Sequence, residues 1–242
     1  MALFLQSRHA GLVSGFPRQE MATLLEKLLI PLIHWLLLCF LPLWAMKRFQ
    51  WSAFGAGCGQ WFMTTQAAYE ATGGHAVIKA SLHDGLTLPR AYRRAGYRTD
   101  ICDATSLATC RMYRSAREVW RGLAKNAREG MAATKQILFW TVVLLCGQVL
   151  PWALLLLGRH QPNLLWPALL AILLSLAVRA SMTAQFRQSL LGALLHPLAI
   201  VLLLAIQWYA IVLAMVGRPV GWKGRSPPAS PPQSRDFANS SS

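Results

Sequence analysis

Ser81-Leu82-His83-Asp84 sets a hydroxyl, an imidazole and a carboxylate within four residues, between a Gly73-Gly74-His75 turn and a run of arginines. The chain has 9 acidic residues against 24 Lys and Arg, so an acid in this position is conspicuous. Two chemistries suit it. As Ser-x-x-Asp at a helix start it makes a capping box, Ser81 accepting an N3 amide while Asp84 reaches back to the cap. As a carboxylate kept ionised by a helix N-terminus, Asp84 is a general base for a hydroxyl proton. The two do not exclude each other. Elsewhere the reactive residue types read as structural. His75 caps its turn, while His34 and His196 sit in apolar blocks beside prolines as satisfied core groups. Cys39, Cys58, Cys102, Cys110 and Cys146 form no C-x-x-C pair, which argues against a disulfide scaffold or zinc site and for reduced thiols.

The elements that must position Asp84 follow from local pattern. "GQWFMTTQAAYEATGGH", residues 59–75, reads as a short strand, a helix from about Thr65 and a Gly-Gly stop. Residues 81–95 read as a second helix ended by Gly96, and 97–102 as a strand. Strand, helix, helix, strand is the order of an α/β layer.

Most of the remainder is apolar. The composition is 55% hydrophobic and 14% charged, against about a quarter charged in ordinary globular chains. Residues 136–157 carry no charge and have the length of a membrane span, with Gln148 and Pro151 as kink points. Residues 164–178 would reach roughly 22 Å, a short span or re-entrant element. Residues 198–216 read as another span, and the spans so drawn hold no charged residue. Residues 28–46, broken by Pro31, His34 and Pro42, read as an interfacial or buried helix pair. The N-terminal apolar run is too short for a signal peptide.

Arg114, Arg117, Arg121, Lys125 and Arg128 recur every three or four residues as one stripe, with Val119, Trp120 and Leu123 mostly opposite. A basic stripe with a Trp-bearing apolar face suits an interfacial helix at 111–135. The net charge of +15 therefore points to membrane lipids as partner, not nucleic acid. Eleven basic residues against four acidic ones in 90–135 place the polar segment in the cytoplasm of a multi-pass cell-membrane protein. Three crossings would then put the tail outside, whereas Arg218, Lys223 and Arg225 favour the inside. From Ser226 the Pro/Ser-rich tail reads as disordered.

The order G-x-G-Q (57–60), G-G-H (73–75), Asp84, R-x-G (94–96), "CRMYRSAREVWRGLAKN" and then membrane helices resembles the family 2 glycosyltransferases. More narrowly it is similar to the membrane-bound branch that handles lipid-like acceptors, the hopanoid-associated and ceramide glycosyltransferases. The resemblance covers residues 11–157 and includes "GLVSGFPRQE". It implies a partial α/β, GT-A-like layer over 1–110, the basic helix over 111–135, transmembrane helices over 136–217 and a tail over 218–242. By the same resemblance Asp84 is the catalytic base of an inverting transfer, with His83 where Glu is commoner. Gly57, Gly59, Gln60 and His83 line the acceptor side, and Arg111 faces the diphosphate of a nucleotide-sugar donor. Arg111 and Trp120 fall near the family's Q-x-x-R-W region without reproducing it. For Trp120 packing is the alternative role, and for Arg111 a surface cation.

The front half departs from the family. No Asp-x-Asp occurs, so no metal or other cofactor is expected in this chain. Mg or Mn belongs only to a complete donor site. The chain reads as the acceptor-and-membrane portion of such an enzyme, inactive alone, with "LVSG" lacking strand partners and leaving an open edge. Two other readings compete. One is a non-catalytic membrane scaffold derived from a transferase. The other is a transporter piece, prompted by Gln148 and Gln207 and opposed by the absence of charge in the spans.

Overall fold

The structure is a computed structural model, which describes residues 1–127, 136–158, 161–218 and 220. Arg128, Arg159, Lys223, Arg225 and the Pro/Ser-rich tail lie outside the described residues. The fold is mixed α/β: a small three-stranded sheet, mostly helix around it, and three long apolar helices in the C-terminal half.

In chain order the lobe comprises α1 (Ala2–Ser7), β1 (Leu12–Gln19), α2 (Leu24–Leu29), α3 (Pro31–Phe40), α4 (Leu43–Arg48), β2 (Phe62–Thr64), α5 (Gln66–Ala71), α6 (Asp84–Arg94), β3 (Thr99–Cys110) and α7 (Ala116–Ala127). The sheet order is β2-β1-β3. β1 pairs antiparallel with β2 and parallel with β3, so "LVSG" is central and the expected open edge there is corrected. That position explains why nearly all of β1 is buried. Pro17, which has no N–H to give a central strand, sits where the β1–β3 register shifts, a place that tolerates it.

Alternation along β1 sends its side chains to two covers. Leu12 packs with Ala68, Leu88 and Tyr92 of α5 and α6, while Val13 packs with Leu5 of α1 and with Ala10. Arg93, buried on α6, ties this layer to the preceding segment. Its guanidinium donates to the carbonyls of Met46 (2.7 Å) and Phe49 (2.8 Å) and, through Nε, to Thr99 Oγ1 (2.7 Å).

The largest core joins lobe and bundle: Leu28, Leu29, Ile30 and Trp35 of α2 and α3, Val119 and Ala124 of α7, and Ala199 to Ile211 of the last helix. The apolar face of α7 packs on α2 and that helix, with Trp120 half-buried.

The bundle begins with Ile137–Leu157, made of α8 (Ile137–Leu144), a π turn at Leu145–Val149 and α9 (Leu150–Leu157). The π turn precedes Pro151, which cannot donate to a continuing helical ladder. The second helix, α10 (Pro162–Gln185), is longer than the 164–178 segment expected. It continues through Arg179, which is fully buried in the helix and does not begin a loop. The spans therefore do hold a charged residue. α11 (Leu190–Leu194) and α12 (His196–Met215) complete the chain order. All three long helices have the length and composition to cross a membrane.

α12 runs antiparallel to α8. Trp208 Nε1 donates to Thr141 Oγ1 at 3.1 Å, and His196 Nε2 meets Gln148 Oε1 at 3.2 Å. Gln148 Oε1 also accepts from Ser175 of α10 (2.7 Å), and Arg179 Nη2 donates to the Gly192 carbonyl (3.3 Å). Residues 186–195 therefore carry the chain back along α10 before α12 descends. The expected satisfaction of the two apolar-block histidines is corrected. His34 has no hydrogen bond on either ring nitrogen among the described residues, and His196 has none on Nδ1. They are held by rings, His34 stacked on Phe186 (centroids 4.8 Å apart) and His196 edge-on to Trp35 (4.8 Å).

Candidate active site

Asp84 is the first residue of α6 and is exposed. The capping box does not form in the expected way. Ser81 Oγ accepts from the His83 amide (2.9 Å), and Asp84 lies at the helix start instead of one turn inside it. Its Oδ1 accepts from the Gly85 amide at 2.8 Å, and its Oδ2 makes no hydrogen bond among the described residues.

The glycine loop 55–60 forms the wall beside this carboxylate. Ser14 on β1 fixes the loop twice, its Oγ accepting from the Cys58 amide (2.7 Å) and donating to the Cys58 carbonyl (3.1 Å). Gly57 donates its amide to the Gly85 carbonyl (2.7 Å), joining loop to helix. A Cβ on Gly57 would come within 2.7 Å of Ser14 Cβ, and one on Gly59 would collide with the Asp84 carboxylate. Here glycine permits close approach, and no unusual backbone angle is involved. Burial, with the Asp84 charge adding to it, pushes the Cys58 thiol up to about 11, so the loop presents a neutral thiol.

His83 is half-buried at the cap of α6, its carbonyl accepting from the amides of Leu86 and Thr87. The structure thus brings Asp84, Gly57, Gly59 and His83 together. Gln60 is the loop's far end, and it turns away from Asp84 to exchange two amide hydrogen bonds with Gln19 of β1, at 2.7 and 3.3 Å.

Gln19 also lines a cavity of about 470 Å³ at the end of β1. Arg111 faces that cavity, not Asp84, and is held by Glu26 at 3.5 Å. Glu26 is itself fully buried, accepting from the Ala22 amide (2.9 Å) and from Thr23 Oγ1 (2.8 Å) at the start of α2. Arg18, Lys27 and Arg187 complete the basic lining. Sequence reading missed these three because they are scattered over residues 18 to 187 and share no spacing.

Along α7 and just before it, Arg114, Arg117 and Arg121 are exposed, while Lys125 is half-buried and engaged. Among the described residues no group of three or more His, Cys, Asp or Glu side chains gathers to hold a metal ion, and the residues at Asp84 do not fit one. His75 behaves as a turn cap, its Nδ1 meeting Tyr69 Oη at 2.9 Å and its amide donating to the same oxygen. No family model, curated protein or solved structure matches the chain.

Proposed function

We propose that this chain supplies the acceptor side of an inverting glycosyl transfer to a lipid-like alcohol at the cytoplasmic face of a membrane, with Asp84 as the base. The reading rests on the resemblance in residue order, and one observation carries it further. An exposed carboxylate oxygen, without a hydrogen bond among the described residues, is pressed against a glycine loop at a helix start. Asp84 Oδ2 takes the proton from the acceptor hydroxyl as that oxygen bonds to the anomeric carbon. The bond from that carbon to the donor diphosphate breaks, and the diphosphate leaves with the electron pair. His83, Gly57 and Gly59 shape the approach of the alcohol. Three helices of spanning length supply the bilayer through which an apolar acceptor arrives.

A second reading, a non-catalytic membrane subunit, is favoured by a specific observation. Asp84 is exposed, and neither the basic cavity nor the smaller one of about 200 Å³ beside Arg8 and Asp100 includes it.

One experiment separates them. Transfer of labelled sugar from a nucleotide-sugar to extractable lipid is measured in membranes of cells making the wild-type protein or Asp84→Asn, each fused behind a donor-binding half that carries an Asp-x-Asp. Catalysis predicts a loss of about 10²-fold or more in the variant. Equal transfer by the two proteins would leave only the subunit reading.

A further inference from the structure

The basic cavity is built from four separate parts of the chain: Arg18 and Gln19 at the end of β1, Lys27 on α2, Arg111 after β3, and the turn after α10. Four basic side chains line it against one carboxylate, that of Glu20. Arg111 is tied to Glu26, whereas Arg18, Lys27 and Arg187 form no ion pair among the described residues.

The turn itself is unusual. α10 ends with the Gln188 amide donating back to the Thr183 carbonyl (3.0 Å), which puts the preceding residue in the left-handed region. Glycine is the usual occupant there, yet this chain has Arg187 at φ 49°. That conformation costs an L-residue of order 1 kcal/mol, and it leaves a guanidinium at the cavity. Beside it Gln188 lines the same space, and neither its amide nitrogen nor its amide oxygen has a hydrogen-bond partner among the described residues.

Charge of this kind asks for a phosphate group, and the surroundings choose its source. Among the described residues no aromatic ring lines the cavity, so a nucleobase finds no stacking platform there. Ser189 lines the cavity, and directly after it Leu190, Leu191 and Leu194 of α11 are exposed. α11 also climbs beside α10, the backbone of Gly192 lying against the Lys27 carbonyl where no side chain fits. An anionic pocket-filler attached to hydrocarbon matches this arrangement. We propose that the cavity binds the phosphate group of an acidic membrane lipid, with its chains lying on the exposed leucines of α11. The site requires no chemistry at Asp84 and stands apart from the transfer reading.

The test uses the full chain, purified in detergent, with phosphatidylglycerol, phosphatidylcholine, inorganic pyrophosphate and a nucleoside diphosphate as separate probes. Binding is read by native mass spectrometry and by the shift in thermal midpoint. Phosphatidylglycerol should bind and stabilise well beyond phosphatidylcholine. Lys27→Gln and Arg187→Asn should each weaken it about fivefold, the worth of one basic residue near an anionic surface. Arg48→Gln and Lys79→Gln, exposed cations away from the cavity, should leave it unchanged. Equal binding of the two lipids would overturn the proposal without recourse to any variant. So would an equal loss in these two variants, which would mean diffuse attraction. Tighter binding of pyrophosphate or the nucleoside diphosphate than of the lipid would assign the phosphate to a soluble ligand.

Discussion

The Asp84 carboxylate fills the space that any side chain on Gly59 would need. The contact is with the far end of an exposed, rotatable side chain, so Gly59→Ala can be relieved by swinging the carboxylate away. Stability should then change by no more than about 0.5 kcal/mol. A base displaced by about an ångström, in contrast, loses on the order of 10²-fold in rate. Gly85→Ala is the control with the opposite signature. Its Cβ would come within 2.7 Å of the Gly57 carbonyl, a backbone atom that cannot swing, and overpacking should cost about 1–3 kcal/mol. Thermal midpoints and lipid-transfer rates of the two variants check both halves. A Gly59→Ala protein that melts early but transfers normally would contradict this account.

The α/β lobe was legible where local chemistry decides structure. Thr65 caps α5 as its position before an apolar run suggests, and the glycines at 73, 74 and 96 all adopt positive φ. What was hidden depended on distant partners. Nothing local shows that β1 is a central strand, because its neighbours lie some 50 and 87 residues away by register with Thr64 and Thr99. The expected segment stopped at residue 178, short of Arg179, since a charge ordinarily ends an apolar run. Only its burial against the Gly192 carbonyl keeps it inside α10. Of the candidate site, the Asp84–glycine-loop half was visible as a motif. The basic cavity was not, because its cations meet only in three dimensions.

His34 makes the fold sensitive to acid. Burial pushes its imidazole down to about 4, with Asp103 opposing and Arg179 adding to the fall. The unfolded imidazole titrates near 6.5, so the unfolded chain takes the proton first. His34 therefore costs no stability above pH 6.5, and stability is lost as pH falls towards 4, by up to about 3 kcal/mol. Phe16, at 5.3 Å, and Phe186 flank the ring, so His34→Phe keeps an aromatic packing there. Between pH 7 and pH 5 the thermal midpoint of the variant in detergent should fall less than that of the wild type. Equal falls would show that His34 is not the group responsible.

Arg179 is a buried cation with a single neutral acceptor at 3.3 Å, its Nε and Nη1 lacking partners among the described residues. Removing such a charge from water costs several kcal/mol, which one carbonyl does not repay. Arg179→Met, close in length and without the charge, should leave the thermal midpoint in detergent unchanged or raise it. A drop equivalent to 3–5 kcal/mol, the cost of breaking a paired buried ion, would mean that Arg179 answers an anion. The same residue removes the ground on which transport was set aside, since an ionisable group inside a bundle often marks a path. Arg179 is fully buried, however, and neither the basic cavity nor the one beside Arg8 includes it.

The antiparallel pairing of α12 with α8 brings the end of one beside the start of the other. Tyr209 packs edge-on to Trp120 of α7, with centroids 5.7 Å apart, which places the last turns of α12 against the lobe. Three simple crossings would instead leave residues 136 and 218 on opposite sides of the bilayer. The pairing puts both at one end of the bundle, so they should face the same side of a membrane. In sealed membrane vesicles, Gln136→Cys and Arg218→Cys, each made in a background with the native cysteines replaced by serine, should react with a membrane-impermeant maleimide from the same side. Labelling of the two positions from opposite sides would show that α12 crosses in the other direction, and would remove the descent that places α11 beside α10.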